Sequence, residues 1–169
     1  MTLADGITLS RVLLTPVVMV LWISPHLGLR LVGLVVFIVA GLTDYVDGRV
    51  ARAQKTTTKL GGYLDPLADK VLVLGAGMAL VSVGLLLVWW LLVVLLRELA
   101  VTGLRSVLQS GSHMPASVWS KWKTTVQMVA LGASAVLHGV VPNVLWAIAV
   151  ILTIGTGVEY FQQNWQYVK

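Results

Sequence analysis

The chain has 169 residues, of which 57% are hydrophobic and only 11% are charged, and its formal net charge is +5. Soluble domains carry about 25% charged residues, so this chain lacks the polar surface needed to face water on all sides. Cysteine is absent, which excludes disulfide frameworks, thiolate nucleophiles and cysteine–zinc sites.

Six apolar segments follow one another along the chain, each close to the ~17–25 residues that a membrane-spanning helix needs. Gly84 separates the third segment from the fourth, and Gly139 and Pro142 end the fifth. The runs show no alternation of apolar and polar residues, so helices satisfy their backbones better than barrel strands. The segments cover approximately residues 8–23, 29 into the 40s, 63–83, 85–107, 118–138 and 143–160. The sequence therefore predicts an all-α polytopic membrane protein with six transmembrane helices in a single domain, residues 1–169.

The positions of the basic residues predict the orientation of the chain. The second and fourth connections and the chain ends carry most of the cations, whereas the opposite connections offer only Arg30 and His26. Loops rich in Lys and Arg face the cytoplasm, so both termini are expected there. The same rule accounts for the basic excess, and no nucleic-acid partner is expected. Tryptophans near segment ends are expected to lie at the membrane interface, namely Trp22, Trp89, Trp90, Trp119, Trp122 and Trp165.

Four of the seven acidic residues fall within one 26-residue stretch: Asp44, Asp47, Asp65 and Asp69. A carboxylate in a membrane costs roughly 2.5–3.5 kcal/mol, so the group needs compensation. Asp44 and Asp47 are three residues apart and Asp65 and Asp69 are four apart, so each pair shares one helix face. A short polar segment joins the two helix ends and is expected to bring the four carboxylates together. The purely structural alternative is that the aspartates form ion pairs with neighbouring arginines and a lysine at a helix boundary.

Four oxygen donors without histidine or cysteine suit a hard cation, either Mg²⁺ or Mn²⁺. Two such ions balance four negative charges, and a paired-metal site is a known device for displacement at phosphorus. Gly48 and Gly61 flank the aspartates although glycine is costly in helices. We interpret both as places where a bulky group such as a nucleotide approaches the backbone. The stretch therefore predicts a two-metal site for phosphoryl chemistry.

These residues form the string Asp44-x2-Asp47-Gly48-x2-Ala51-Arg52-x8-Gly61-x3-Asp65-x3-Asp69. The string resembles the signature of the CDP-alcohol phosphotransferase family at all eight specified positions. The resemblance implies that the four aspartates bind the metals and that Asp69 is the general base. It also implies that CDP-diacylglycerol is bound by Ile7, Thr8, Leu9, Ser10, Asp47, Gly48, Arg52, Thr58 and Gly61. Where the family usually has Asn near the start, this chain has Asp5.

A second polar cluster bears on the acceptor alcohol. Arg97 lies midway along the fourth segment, where a guanidinium usually faces a polar cavity. Arg105, Lys121 and Lys123 lie towards the cytoplasmic end, and the four cations together suit an anionic acceptor. An internal salt bridge of Arg97 and snorkelling of the others are the alternatives.

The strings Arg97-Glu98-Leu99-x2-Thr102-Gly103-Leu104-Arg105 and Lys121-x-Lys123-Thr124-x2-Gln127 resemble the phosphatidylglycerolphosphate synthase branch of the family. The resemblance implies attack by the 1-hydroxyl of sn-glycerol 3-phosphate on the β-phosphorus of CDP-diacylglycerol, with release of CMP. Arg97, Arg105, Lys121 and Lys123 would bind the acceptor phosphate. It also implies a homodimer in the cell membrane, in contact with membrane lipids, with an active site facing the cytoplasm.

Three other interpretations stay open at this point. The same chemistry can use inositol phosphate, or phosphatidylglycerol as in a cardiolipin synthase. A cation transporter also carries acidic residues in its membrane helices, but here Arg52 lies beside the aspartates and repels cations. A non-catalytic membrane scaffold does not account for the complete signature.

Overall fold

The computed structural model describes residues 3–54, 59–108 and 118–164, and within these ranges every regular element is an α-helix. Side chains are described for residues 9–43, 70–104 and 122–163. The six helices are α1 Leu3–Ile23, α2 Leu27–Gln54, α3 Lys59–Ser82, α4 Val88–Leu108, α5 Val118–Val136 and α6 Val140–Asn164. The predicted all-α class and the number and order of the segments are confirmed for the described residues.

The predicted break at Gly84 is a helix C-terminal cap. Gly84 has a φ of +73°, a left-handed conformation that glycine adopts without a steric cost. Its N–H donates to the carbonyl of Val81, and the N–H of Leu85 donates to the carbonyl of Leu80, at 3.1 and 2.9 Å. This pair of bonds is a Schellman motif, which satisfies carbonyls that the end of α3 leaves open. Gly139, with a φ of +93°, occupies the corresponding break between α5 and α6.

The contacts group the helices into two compact units, Met1–Leu85 and Leu86–Lys169. We call them the N-terminal unit, which contains α1 to α3, and the C-terminal unit, which contains α4 to α6. The sequence predicts a single domain across residues 1–169, and this stays a prediction.

In the N-terminal unit, α1 packs against both α2 and α3. Two glycines allow these approaches. A Cβ at Gly33 would lie 2.7 Å from Cδ1 of Trp22, and one at Gly75 would lie 2.6 Å from Cγ2 of Thr15. Trp22 is fully buried and its ring lies 5.0 Å from that of Phe37. The interfacial position expected for Trp22 is therefore wrong, because the glycine opposite it leaves room for the indole inside the unit.

In the C-terminal unit, α6 packs against both α4 and α5. Its core contains Trp146, whose indole Nε1 donates to the Ser134 hydroxyl at 3.0 Å while both side chains are buried. Trp89 and Trp122 are exposed, in keeping with the interfacial position expected for them. Trp119 and Trp165 lie outside the described side chains.

One helical stretch in the described part of the chain, Val140–Gln163, is long and apolar enough to cross a membrane. Shorter apolar stretches of helix run over Leu9–Ile23, Leu27–Thr43 and Lys70–Ser82. The composition of the described helices thus supports one crossing clearly.

Candidate active site

The acidic signature lies on two helices of the N-terminal unit. Asp44 and Asp47 belong to the C-terminal part of α2, and Asp65 and Asp69 to the N-terminal half of α3. Both stretches are continuous helix, so residues three or four apart share a face, as the spacing predicts. The side chains of these aspartates lie outside the described residues, and the predicted convergence of the carboxylates stays a prediction.

The donor set fits the predicted metal. Four carboxylates without a nitrogen or sulfur ligand are the chemistry that Mg²⁺ and Mn²⁺ prefer. Both aspartate-bearing helices pack against the same helix, α1. Among the described side chains no group of three acidic or histidine residues can hold a metal ion, but that set does not include the four aspartates.

The residues predicted to bind the nucleotide are distributed over three helices of the same unit. Ile7, Thr8, Leu9 and Ser10 belong to α1, Gly48 and Arg52 to α2, and Gly61 to α3. Leu9 and Ser10 are exposed, and Thr58 lies outside the described residues.

Arg11 is a charged residue of α1 that ends the segment resembling the family's nucleotide-contacting sequence, but it is not among the residues predicted to bind the nucleotide. It is only 2% exposed. Its carbonyl accepts a hydrogen bond from the Thr15 hydroxyl at 3.0 Å. A buried guanidinium is stable only with polar or charged partners, so α1 contributes a cation to the interior of this unit.

In the C-terminal unit, two of the predicted acceptor-binding cations contact one carboxylate. Nη1 of Arg97 on α4 donates to Oε1 of Glu98 at 3.0 Å. Nζ of Lys123 on α5 donates to the same oxygen. Lys123 is 4% exposed, so it does not snorkel towards a membrane surface. The internal salt bridge of Arg97 exists, and its partner is the adjacent residue.

Helix α6 contributes a further contact to Arg97. Nη2 of Arg97 lies 3.3 Å from the Thr156 hydroxyl, which itself donates to the carbonyl of Leu152 at 2.7 Å. A Cβ at Gly157 would lie 3.3 Å from Cγ of Arg97, so this glycine leaves the space along which the arginine stem runs. We call Arg97, Glu98, Lys123 and Thr156 the polar cluster.

A second polar contact joins α5 and α6. The Gln127 amide donates to the Thr153 hydroxyl at 2.8 Å, and both side chains are buried. Gln127 follows Lys123 by one turn of α5, and Thr153 precedes Thr156 by one turn of α6. The sequence patterns include Glu98 and Gln127, but neither of them was predicted as a member of the site. Thr153 and Thr156 lie outside those patterns.

One member of the polar cluster, Arg97, lines a groove between α4 and α6 with a volume of about 520 Å³, within the usual range for ligand pockets. Its lining residues are Arg97, Ala100, Gly157, Val158, Phe161 and Gln162. Among the described side chains, Arg97 is the cation that lines this groove. Arg105 and Lys121 lie on α4 and α5, but their side chains are outside the described residues. Their part in the acceptor pocket stays a prediction.

Comparisons with known proteins agree with these features. The model of the CDP-alcohol phosphatidyltransferase family matches residues 1–155. The chain is 38% identical to the CDP-diacylglycerol–glycerol-3-phosphate 3-phosphatidyltransferase of Bacillus subtilis, over 99% of this chain and 97% of that protein. It is 34% identical to the protein of the same name from Haemophilus influenzae, over 92% and 89% of the two chains. It is 39% identical to a probable phosphatidylglycerophosphate synthase of Mycobacterium tuberculosis, over 94% of this chain and 79% of that protein.

Proposed function

Because the chain belongs to the CDP-alcohol phosphatidyltransferase family, we propose that it is the phosphatidyltransferase that acts on glycerol 3-phosphate. It transfers the phosphatidyl group of CDP-diacylglycerol to the 1-hydroxyl of sn-glycerol 3-phosphate and releases CMP. The observation that carries this proposal is the similarity over nearly the full length to relatives named for this reaction. The product is phosphatidylglycerolphosphate, and the reaction is a step of phospholipid biosynthesis.

The metal site of the proposed enzyme consists of Asp44, Asp47, Asp65 and Asp69. When two Mg²⁺ or Mn²⁺ ions are bound there, they neutralise charge on the diphosphate and on the departing CMP. The arrangement of the aspartates in two same-face pairs, on helices that share α1 as a packing partner, supports this assignment.

The reaction forms one bond at phosphorus and breaks one there, and it moves one proton. The 1-hydroxyl oxygen attacks the β-phosphorus, and the bond from that phosphorus to the bridging oxygen breaks, so the electron pair leaves with CMP. Asp69 accepts the hydroxyl proton, which requires the alcohol to be placed within hydrogen-bond reach. Arg52 binds the diphosphate through two charge-assisted hydrogen bonds, and Gly48 and Gly61 leave room for the nucleotide.

The acceptor pocket of the proposed enzyme is cationic. Arg97, Arg105, Lys121 and Lys123 bind the phosphate of glycerol 3-phosphate. Two observations support this role. Arg97 lines a groove of about 520 Å³, and Lys123 reaches the same carboxylate as Arg97 from the neighbouring helix. A pocket with this charge favours a phosphate monoester over a neutral alcohol.

We place the enzyme in the cell membrane, with six crossings, both termini in the cytoplasm and the active site at the cytoplasmic face. Large apolar side chains on the outer faces of the helices support a lipid environment. Val140 and Ile151 of α6 are 75% and 69% exposed, and Leu13 of α1 is 65% exposed. The placement of the basic residues supports the orientation. A homodimer is part of the proposal through the family resemblance.

The decisive experiment is a CMP-release assay with purified full-length protein and CDP-diacylglycerol. Glycerol 3-phosphate, inositol phosphate and phosphatidylglycerol are supplied in turn, with Mg²⁺ or Mn²⁺ and with a chelator as the control. We expect release only with glycerol 3-phosphate and a divalent cation. Release with either other acceptor, and none with glycerol 3-phosphate, would show a different member of the same family.

A further inference from the structure

We propose that Glu98 is a positioning residue of the acceptor pocket, which fixes Arg97 and Lys123 in place for a phosphate monoester. The inference rests on the proposed function, because it concerns the pocket assigned there to glycerol 3-phosphate. It adds a residue of opposite charge to a pocket otherwise defined by its cations. The observation behind it is that one carboxylate oxygen accepts hydrogen bonds from both cations.

The surroundings of Arg97 fix the orientation of its side chain. Adjacent residues of a helix do not face each other, so the Arg97 side chain must bend along α4 to reach Glu98. Its second terminal nitrogen is directed to Thr156, and the missing side chain at Gly157 makes room for its stem. Carboxylate, hydroxyl and glycine together select one arrangement of a long, flexible side chain. A guanidinium fixed before binding loses less conformational freedom when it grips a phosphate.

The burial of Lys123 adds a second argument. An ammonium group that is almost completely buried is costly without a partner of opposite charge. Glu98 provides that partner from the neighbouring helix, through the same oxygen that Arg97 contacts. Two cations and one carboxylate leave one net positive charge, so an arriving phosphate still meets an attractive field.

The role of Glu98 is separable from overall stability by a comparison of two Michaelis constants. In Glu98→Gln the size is kept, but the neutral amide cannot hold two cations. We expect the KM for glycerol 3-phosphate to rise roughly tenfold to a hundredfold, as for lost hydrogen bonds to charged groups. The KM for CDP-diacylglycerol should stay within about twofold, because the lipid site lies on other residues. Glu98→Asp should recover part of the lost affinity.

Glu159→Gln is the matched control, since it removes one negative charge from the same unit. Glu159 lies on α6 outside the polar cluster and accepts a hydrogen bond from Gln163 at 3.2 Å. We expect this variant to behave as the wild type in both constants. Equilibrium binding of glycerol 3-phosphate to the full-length protein without CDP-diacylglycerol gives a second measurement that needs no turnover. It should weaken in Glu98→Gln and not in Glu159→Gln.

Each result of these experiments supports or overturns the inference. An unchanged or lower KM for the acceptor in Glu98→Gln overturns it. An equal rise of both Michaelis constants, together with a lower unfolding temperature, also overturns it and assigns Glu98 to structure alone. Absence of wild-type turnover with glycerol 3-phosphate contradicts the proposed function instead. The binding measurement still decides the role of Glu98 in that case.

Discussion

The two units of the molecule differ in the charge of their predicted sites, which is negative in the N-terminal unit and mainly positive in the C-terminal unit. The N-terminal unit carries the four aspartates on two helix ends, and the residue spacing alone predicts their chemistry. The C-terminal unit combines Arg97 and Lys123 with a carboxylate and a hydroxyl drawn from three helices. A site whose residues lie in short stretches can be predicted from their spacing along the chain. A site built by helix packing becomes visible only in the structure.

The proposed function gives the two regions different kinetic roles, and the largest expected effect tests the acidic one. Asp69→Asn should lower kcat by about 10²–10⁴-fold, because the amide cannot accept the hydroxyl proton. Binding of CDP-diacylglycerol should persist. The measurement is CMP release together with equilibrium binding of the lipid substrate. Near-normal turnover in this variant contradicts the assignment of Asp69 as the base.

Substitutions in the cationic region should change the KM for glycerol 3-phosphate. Replacing Lys123 or Arg105 by Gln removes a charged hydrogen-bond donor from the proposed pocket. We expect the KM for glycerol 3-phosphate to rise about tenfold or more, and that for CDP-diacylglycerol to change much less. Initial rates with each substrate varied in turn provide the test. Equal effects on both constants would remove the distinction between the two regions.

The packing of the N-terminal unit can be tested apart from its chemistry. In Gly33→Ala the added methyl would lie 2.7 Å from Trp22, which is fully buried and packs against Phe37. We expect a loss of about 1–3 kcal/mol in the free energy of unfolding, as for other overpacked cores.

Gly28→Ala is the control for that experiment, because a Cβ at Gly28 meets nothing within 4 Å. This variant on the same helix should unfold at the same denaturant concentration as the wild type, or at a slightly higher one. Denaturant unfolding of the purified protein in detergent measures both. Similar losses in the two variants would show that the close contact of Gly33 with Trp22 is not the cause.

The smallest expected effect concerns the space beside Arg97. In Gly157→Ala the new methyl would lie 3.3 Å from Cγ of Arg97, so the arginine stem must shift by a few tenths of an ångström. We expect the KM for glycerol 3-phosphate to rise about two- to fivefold with little change in stability. Gly155→Ala, where the Cβ would enter open space, should leave the KM unchanged. Identical constants in both variants would show that the position of Arg97 tolerates the shift.

Much of the fold was predictable because its signals are local. Apolar segments of helical length and the breaks at Gly84 and Gly139 define the six helices. The spacing of the aspartates places each pair on one face whatever the tertiary structure is.

Long-range packing decides what the sequence could not reveal. Trp22 looks like an interfacial residue, and its burial depends on a glycine eleven positions further along, on another helix. Glu98 is next to Arg97 in the chain, a spacing at which helical residues do not usually meet. Thr153 and Thr156 lie in the apolar stretch of α6 that precedes Glu159 and give no sign of their partners.

The hydrogen bond between Gln127 and Thr153 has a consequence for how α5 and α6 fit together. Apolar surfaces can slide or rotate against each other at little cost, but a buried amide is satisfied only when its partner stands opposite. Together with the bond from Trp146 to Ser134, this bond therefore selects one register between the two helices. In that register Thr156 is presented one turn away, at the depth where Arg97 crosses from α4. An apolar pair at 127 and 153 would weaken that register near Thr156 and so loosen the position of the Arg97 guanidinium without contacting it.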